Sequence, residues 1–67
     1  MQYLPHQQRV VDEKAELDLK REKLREFIDT SPVHAALEMV DKKDLMIQSF
    51  IMAQYSDVLF RRICRFK

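Results

Sequence analysis

A chain of 67 residues supports one domain at most, and a domain of that size buries only about 60% of the surface its unfolded chain exposes. Hydrophobic residues make up 46% and charged residues 34%, which is too apolar for a disordered chain. The net charge is +1, so the overall balance carries no signature of DNA or of a membrane surface as partner.

Glycine is absent, which argues against tight β-hairpins, phosphate-cradling loops and dinucleotide folds together. Cys64 is the only cysteine, so no internal disulfide can form. His6 and His34 lack the companions that a metal site needs. Small domains usually rely on a disulfide, a metal or self-association, and self-association is the one left. No run of about 18 apolar residues is present, and no basic stretch leads into an apolar signal region. The expectation is a cytosolic protein of one domain, 1–67, with no metal and no cofactor.

In chain order, Pro5 suits the first turn of a helix, where its missing N–H costs nothing. The pattern predicts a helix from Pro5 to Ile28. Val10, Leu17 and Leu24 recur every seven residues, and Phe27 and Ile28 extend that stripe. Opposite charges lace the other faces: Glu16–Lys20 at i,i+4, and Asp18–Arg21 and Glu22–Arg25 at i,i+3. Ser31-Pro32 is both a stop and a new start, with serine as N-cap and proline at the first position. A short helix over Val33 to Val40 is expected next, with one continuous helix from Pro32 onward as the alternative. Asp41 reads as another N-cap, with Asp44 three residues on.

The last helix, Asp41 to Phe66, carries Leu45, Met52, Leu59 and Phe66 as a heptad stripe that matches the first helix. Tyr55 and Ile63 flank it. Met46, Ile47, Phe50, Ile51, Val58, Phe60 and Cys64 cover other faces. A helix apolar nearly all round must be buried on more than one side, which a two-helix hairpin cannot do alone. The expected fold is therefore all-α: an antiparallel helical hairpin with a short connecting helix, assembling into a homo-oligomeric helical bundle. Arg61, Arg62, Arg65 and Lys67 close the chain with the charge that suits a helix C-terminus.

No catalytic constellation stands out. Asp12, Glu13, Glu16 and Asp18 read as a solvated charged face, because no glutamate has a histidine three residues on, as carboxylate-bridged metal sites require. His34 reads as a packing or surface histidine, Cys64 as a small buried hydrophobe, and Met39, Met46 and Met52 as core. The basic residues carry more information. In an antiparallel hairpin Arg9 approaches Arg61, Arg62 and Arg65, a poor arrangement for stability alone and a sensible one if an anion sits there.

The stretch Pro5-His6-Gln7-Gln8-Arg9-Val10-Val11-Asp12-Glu13-Lys14-Ala15-Glu16-Leu17-Asp18, followed by Lys23-Leu24 and Phe27-Ile28, resembles a family of short phage proteins. Gln48, Met52, Tyr55-Ser56, Leu59 and Arg62-Ile63 continue the resemblance. It is to the hairpin domain shared by phage anti-CBASS type 2 and Thoeris anti-defence type 1 proteins, and it covers about nine-tenths of the chain. Leu19 departs from it, standing where a polar residue is expected. The resemblance implies a sponge. Such a protein sequesters cyclic oligonucleotides made by bacterial immune systems, in the host bacterial cytoplasm, and does not cleave them. It further implies a homohexamer with pockets between protomers.

Such a ligand offers phosphates, which need Arg or Lys, and flat bases, which need a planar surface; the ligand-binding candidates are Arg9 and Arg62 for phosphate, with Gln8 beside them, and Lys23 and Arg25 as a second cationic set. His6 or Tyr3 would supply the stacking surface. The competing expectation is a helical oligomeric adaptor or structural protein that binds another protein. A helix-turn-helix DNA-binding protein is disfavoured by the charge and by a connection longer than the usual turn.

Overall fold

The computed structural model describes residues 2–66 of the chain. Three helices follow one another: α1 over Pro5–Thr30, α2 over Pro32–Ala35 and α3 over Met39–Cys64. There is no strand among the described residues. The described chain measures 47 × 16 × 14 Å, the proportions of two long helices lying side by side.

Local chemistry explains each boundary. Pro5 occupies the first turn of α1. Leu4 precedes it in an extended conformation and has no side-chain acceptor, so Gln7 supplies what is missing at this end. Its Oε1 accepts the Leu4 N–H at 2.9 Å, one half of a capping box. At the far end the Thr30 hydroxyl donates to the Glu26 carbonyl at 2.7 Å, and the Ser31 N–H donates to the Phe27 carbonyl at 3.1 Å. The helix thus runs two residues beyond Ile28. Ser31 then caps α2 as expected: its Oγ accepts the Val33 N–H at 3.1 Å, with Pro32 at the first position.

The boundary expectations further along need correction. The connecting helix is one turn, Pro32–Ala35, rather than Val33–Val40, and α3 begins at Met39 with Glu38 as its N-cap, not at Asp41. Glu38 is extended and makes no side-chain cap bond. Asp41 instead falls inside the first turn, where a carboxylate favours the positive end of the helix dipole. At its other end α3 stops at Cys64, two residues before Phe66. Arg61 and Arg62 occupy its last turn and favour the negative end of the dipole for the same reason. Lys67 lies outside the described residues.

The two long helices are antiparallel. Tyr3 meets Phe66 edge to face at the open end, with ring centroids 6.1 Å apart. Ser56 reaches Asp18 further along. At the closed end Phe27 meets His34 edge to face at 5.7 Å. The core is a single seam of Val10, Leu17 and Leu59, joined by Met52, Ile63 and Phe66. Leu59 is the one fully buried large side chain among the described residues.

That seam is narrow, and much of the apolar content lies outside it. Met39, Val40, Met46, Ile47, Phe50, Ile51 and Val58 are all exposed. Met46 and Phe50 show 65% of their surface and Ile51 shows 59%. At about 100° per residue, these positions are centred on the side of α3 opposite Leu45, Ser56 and Ile63. The reading of Met39 and Met46 as core is therefore corrected for the single protomer; Met52 alone of the three lies at the seam. Cys64 is likewise exposed rather than buried. α3 has two apolar faces, and one hairpin covers only one of them.

Candidate functional site

Three regions hold polar chemistry. The first is the open end of the hairpin, where α1 starts and α3 finishes. Arg9 and Arg62 both lie between the Tyr3–Phe66 and Asp18–Ser56 crossings, which brings their helical turns level. Both are exposed, and neither forms an ion pair among the described residues. Arg61, in contrast, is held by Asp57 at 2.8 Å. Gln8 donates from Nε2 to Asp12 Oδ1 at 2.9 Å, so its amide is already engaged. His6 is exposed. The Tyr3 ring is half-buried against Phe66, which leaves it only part of its surface for stacking.

The second region is a cross-helix polar hub in mid-helix. Asp18 accepts from Lys14 Nζ at 2.5 Å, from the Ser56 hydroxyl at 2.5 Å and from Arg21 at 3.1 Å. Ser56 is buried, so its hydroxyl needs this partner. The Lys14 ammonium and the Ser56 hydroxyl stabilise the ionised carboxylate, and Asp18 titrates at about 2. The i,i+3 spacing had pointed to Asp18–Arg21, which forms. Glu16–Lys20 and Glu22–Arg25 do not close as ion pairs among the described residues. Exposed pairs are worth only a few tenths of a kcal/mol, so spacing alone does not decide which of them close.

The third region adjoins the hub. An open groove of about 370 Å³ runs along one flank of the hairpin, lined by Asp18, Arg21, Glu22, Arg25 and Ser49. From α3 only Ser49 lines it; Ala53 and Ser56, at i+4 and i+7 from Ser49, lie on the same side of that helix. Ser49 carried no reading from the sequence, and Glu22 and Ser56 stood there only as an ion-pair partner and as part of the resemblance, not as candidate site residues. The small-residue spacing on an otherwise bulky helix is the one sequence signal that could have marked the place.

The structure separates the candidates expected from the sequence. Arg9 and Lys23 lie about 21 Å apart along α1 at 1.5 Å per residue, so the open-end set and the Lys23/Arg25 set are different places in one protomer. Lys23 and Arg25 themselves project from nearly opposite sides of α1, because residues two apart differ by about 200°. Arg25 lines the groove and Lys23 does not. A site that uses both must take them from different protomers.

No group of three or more His, Cys, Asp or Glu side chains is placed to hold a metal ion among the described residues. No helix searched is long and apolar enough to cross a membrane. The sequence model of a protein family described as Sequestin matches residues 4–65. No curated protein and no solved structure matches the chain.

Proposed function

Because this chain belongs to the Sequestin family, we propose that it captures a cyclic oligonucleotide of two or three residues and holds it uncleaved. In this reading it is a phage anti-defence protein. It acts in the host bacterial cytoplasm by lowering the free concentration of an immune signal. The family name points to sequestration rather than turnover. The resemblance carried by Pro5–Asp18, Lys23-Leu24 and Arg62-Ile63 supplies the ligand class.

The observation that carries the reading is the second apolar face of α3. Met46, Phe50 and Ile51 are each more than half exposed, on the side of the helix that no other part of the hairpin covers. Packing copies of the chain through that face, six in the fullest form, buries it and sets cationic side chains of different protomers around shared pockets. That assembly answers the separation of Lys23 from Arg25 and of both from Arg9. The open end offers Arg9 and Arg62 to phosphate, two guanidinium groups with no carboxylate partner of their own, and arginine can grip two oxygens at once. His6 and the free part of Tyr3 are the flat surfaces available to a base.

The test is a thermal-shift screen of the purified protein against cyclic di- and trinucleotides. A ligand at 100 times its Kd stabilises the folded form by about 2.7 kcal/mol, which raises the midpoint by several degrees in a protein this small. An oligomer whose midpoint responds to none of these rings is an adaptor for another macromolecule instead.

A further inference from the structure

We propose that the groove on the flank of the hairpin is a guanine-selective subsite, in which Glu22 reads the base and Arg25 holds the adjoining phosphate. The inference rests on the reading that the ligand is a cyclic nucleotide, and it adds which base is preferred and which residues choose it.

The groove has four charged walls, and two of them are already spent. Asp18 accepts three hydrogen bonds, from Lys14, Arg21 and Ser56. Arg21 is one of those donors, so it is turned toward Asp18. Glu22 and Arg25 remain. They are one turn apart on α1, both line the groove, both are exposed, and neither forms an ion pair or side-chain hydrogen bond among the described residues. An acceptor pair and a donor fork thus line the groove from neighbouring turns of α1, with Ser49 of α3 completing its wall.

The purines differ in what they show to such a pair. The Watson–Crick edge of guanine presents two adjacent donors, N1–H and the N2 amino group, which match the two oxygens of a carboxylate. Adenine presents one donor beside the N1 acceptor, and that lone pair faces the carboxylate unfavourably. Arginine beside the carboxylate gives the ligand's phosphate a charged partner. The exposed apolar face of α3 is centred away from Ser49 on that helix.

The experiment is isothermal calorimetry of the intact protein with cyclic di-GMP and cyclic di-AMP, which share the ring and differ only in the bases. Tighter binding of the guanine ring by about tenfold is expected, within the range that bidentate base contacts supply. Glu22→Gln should bring the two affinities together by weakening cyclic di-GMP, with the circular dichroism spectrum unchanged because Glu22 is exposed. Equal affinities in the parent, or a preference that survives Glu22→Gln, overturns the assignment. If neither ring binds, it is the sequestering reading that fails, and the groove is then judged by an NMR titration with GMP and AMP at millimolar concentration. Shifts of the Glu22, Arg25 and Ser49 amides with GMP and not with AMP, lost in Glu22→Gln, support the subsite. No such shifts with GMP overturn it.

Discussion

Asp18→Asn isolates the polar link between the two long helices. In the parent, the carboxylate joins Lys14 and Arg21 of α1 to Ser56 of α3 and titrates at about 2 instead of the ordinary 3.8. Each tenfold change in proton affinity corresponds to roughly 1.4 kcal/mol, so the full displacement corresponds to roughly 2.5 kcal/mol. The side chain is 37% exposed, and water screens a charge in that position. About 1 kcal/mol is the expected net contribution. Because the folded-state value lies below the unfolded one, this stability is present above pH 4 and is lost as the pH falls toward 2.

Asparagine keeps the shape and can still accept from Ser56, but it carries no charge. Urea denaturation at one fixed protomer concentration should place Asp18→Asn about 1 kcal/mol below the parent at pH 7, with the gap closing between pH 4 and pH 2. The fixed concentration matters because any association would add its own stability. A gap that is absent at pH 7, or one that persists unchanged at pH 2, would show that the hub does not connect the helices as described.

Phe50→Asp or Ile51→Asp places a charge in the outward apolar face of α3 without touching the seam. Light scattering should show the assembly split, while the hairpin's helicity persists, because burying an unpaired charge between copies costs several kcal/mol. A parent protein that is already a folded monomer at micromolar concentration refutes that account of the face. Charge reversal at Arg62 or at Lys23 should abolish calorimetric binding of cyclic nucleotides and leave the oligomer intact. Binding that matches the parent in both variants would show these residues to be plain surface.

The hairpin was legible because its signals are local. Pro5 and Ser31-Pro32 mark helix starts through backbone chemistry. The heptad recurrence of Val10 and Leu17 on α1, and of Met52 and Leu59 on α3, marks the seam. The start of α3 was less legible. Asp41 has the right chemistry for a cap, yet Met39 begins the helix because Glu38 can turn extended without any side-chain bond. Sequence also registered that α3 is apolar on too many sides. It could not tell which methionines meet α1, since Met39, Met46 and Met52 carry the same side chain and differ only in angular position.

The site was legible by residue type and not by grouping. The Asp18–Ser56 bond spans 38 positions, a separation at which no periodicity points to a partner. Glu22 and Arg25 were read as an i,i+3 pair, but spacing permits such a pair without supplying the energy to close it. Their being left open puts an unpaired carboxylate and an unpaired guanidinium on the groove wall.

Recovery of the ligand after capture tests the central claim most directly. The protein is incubated with a cyclic di- or trinucleotide that it binds, freed of unbound ligand, and denatured, and the released nucleotide is separated by chromatography. The account predicts that the cyclic compound returns intact, in fixed proportion to protomer, after any length of incubation. Linear or shortened products that accumulate with time, or no retained nucleotide at all for any ring offered, would contradict it.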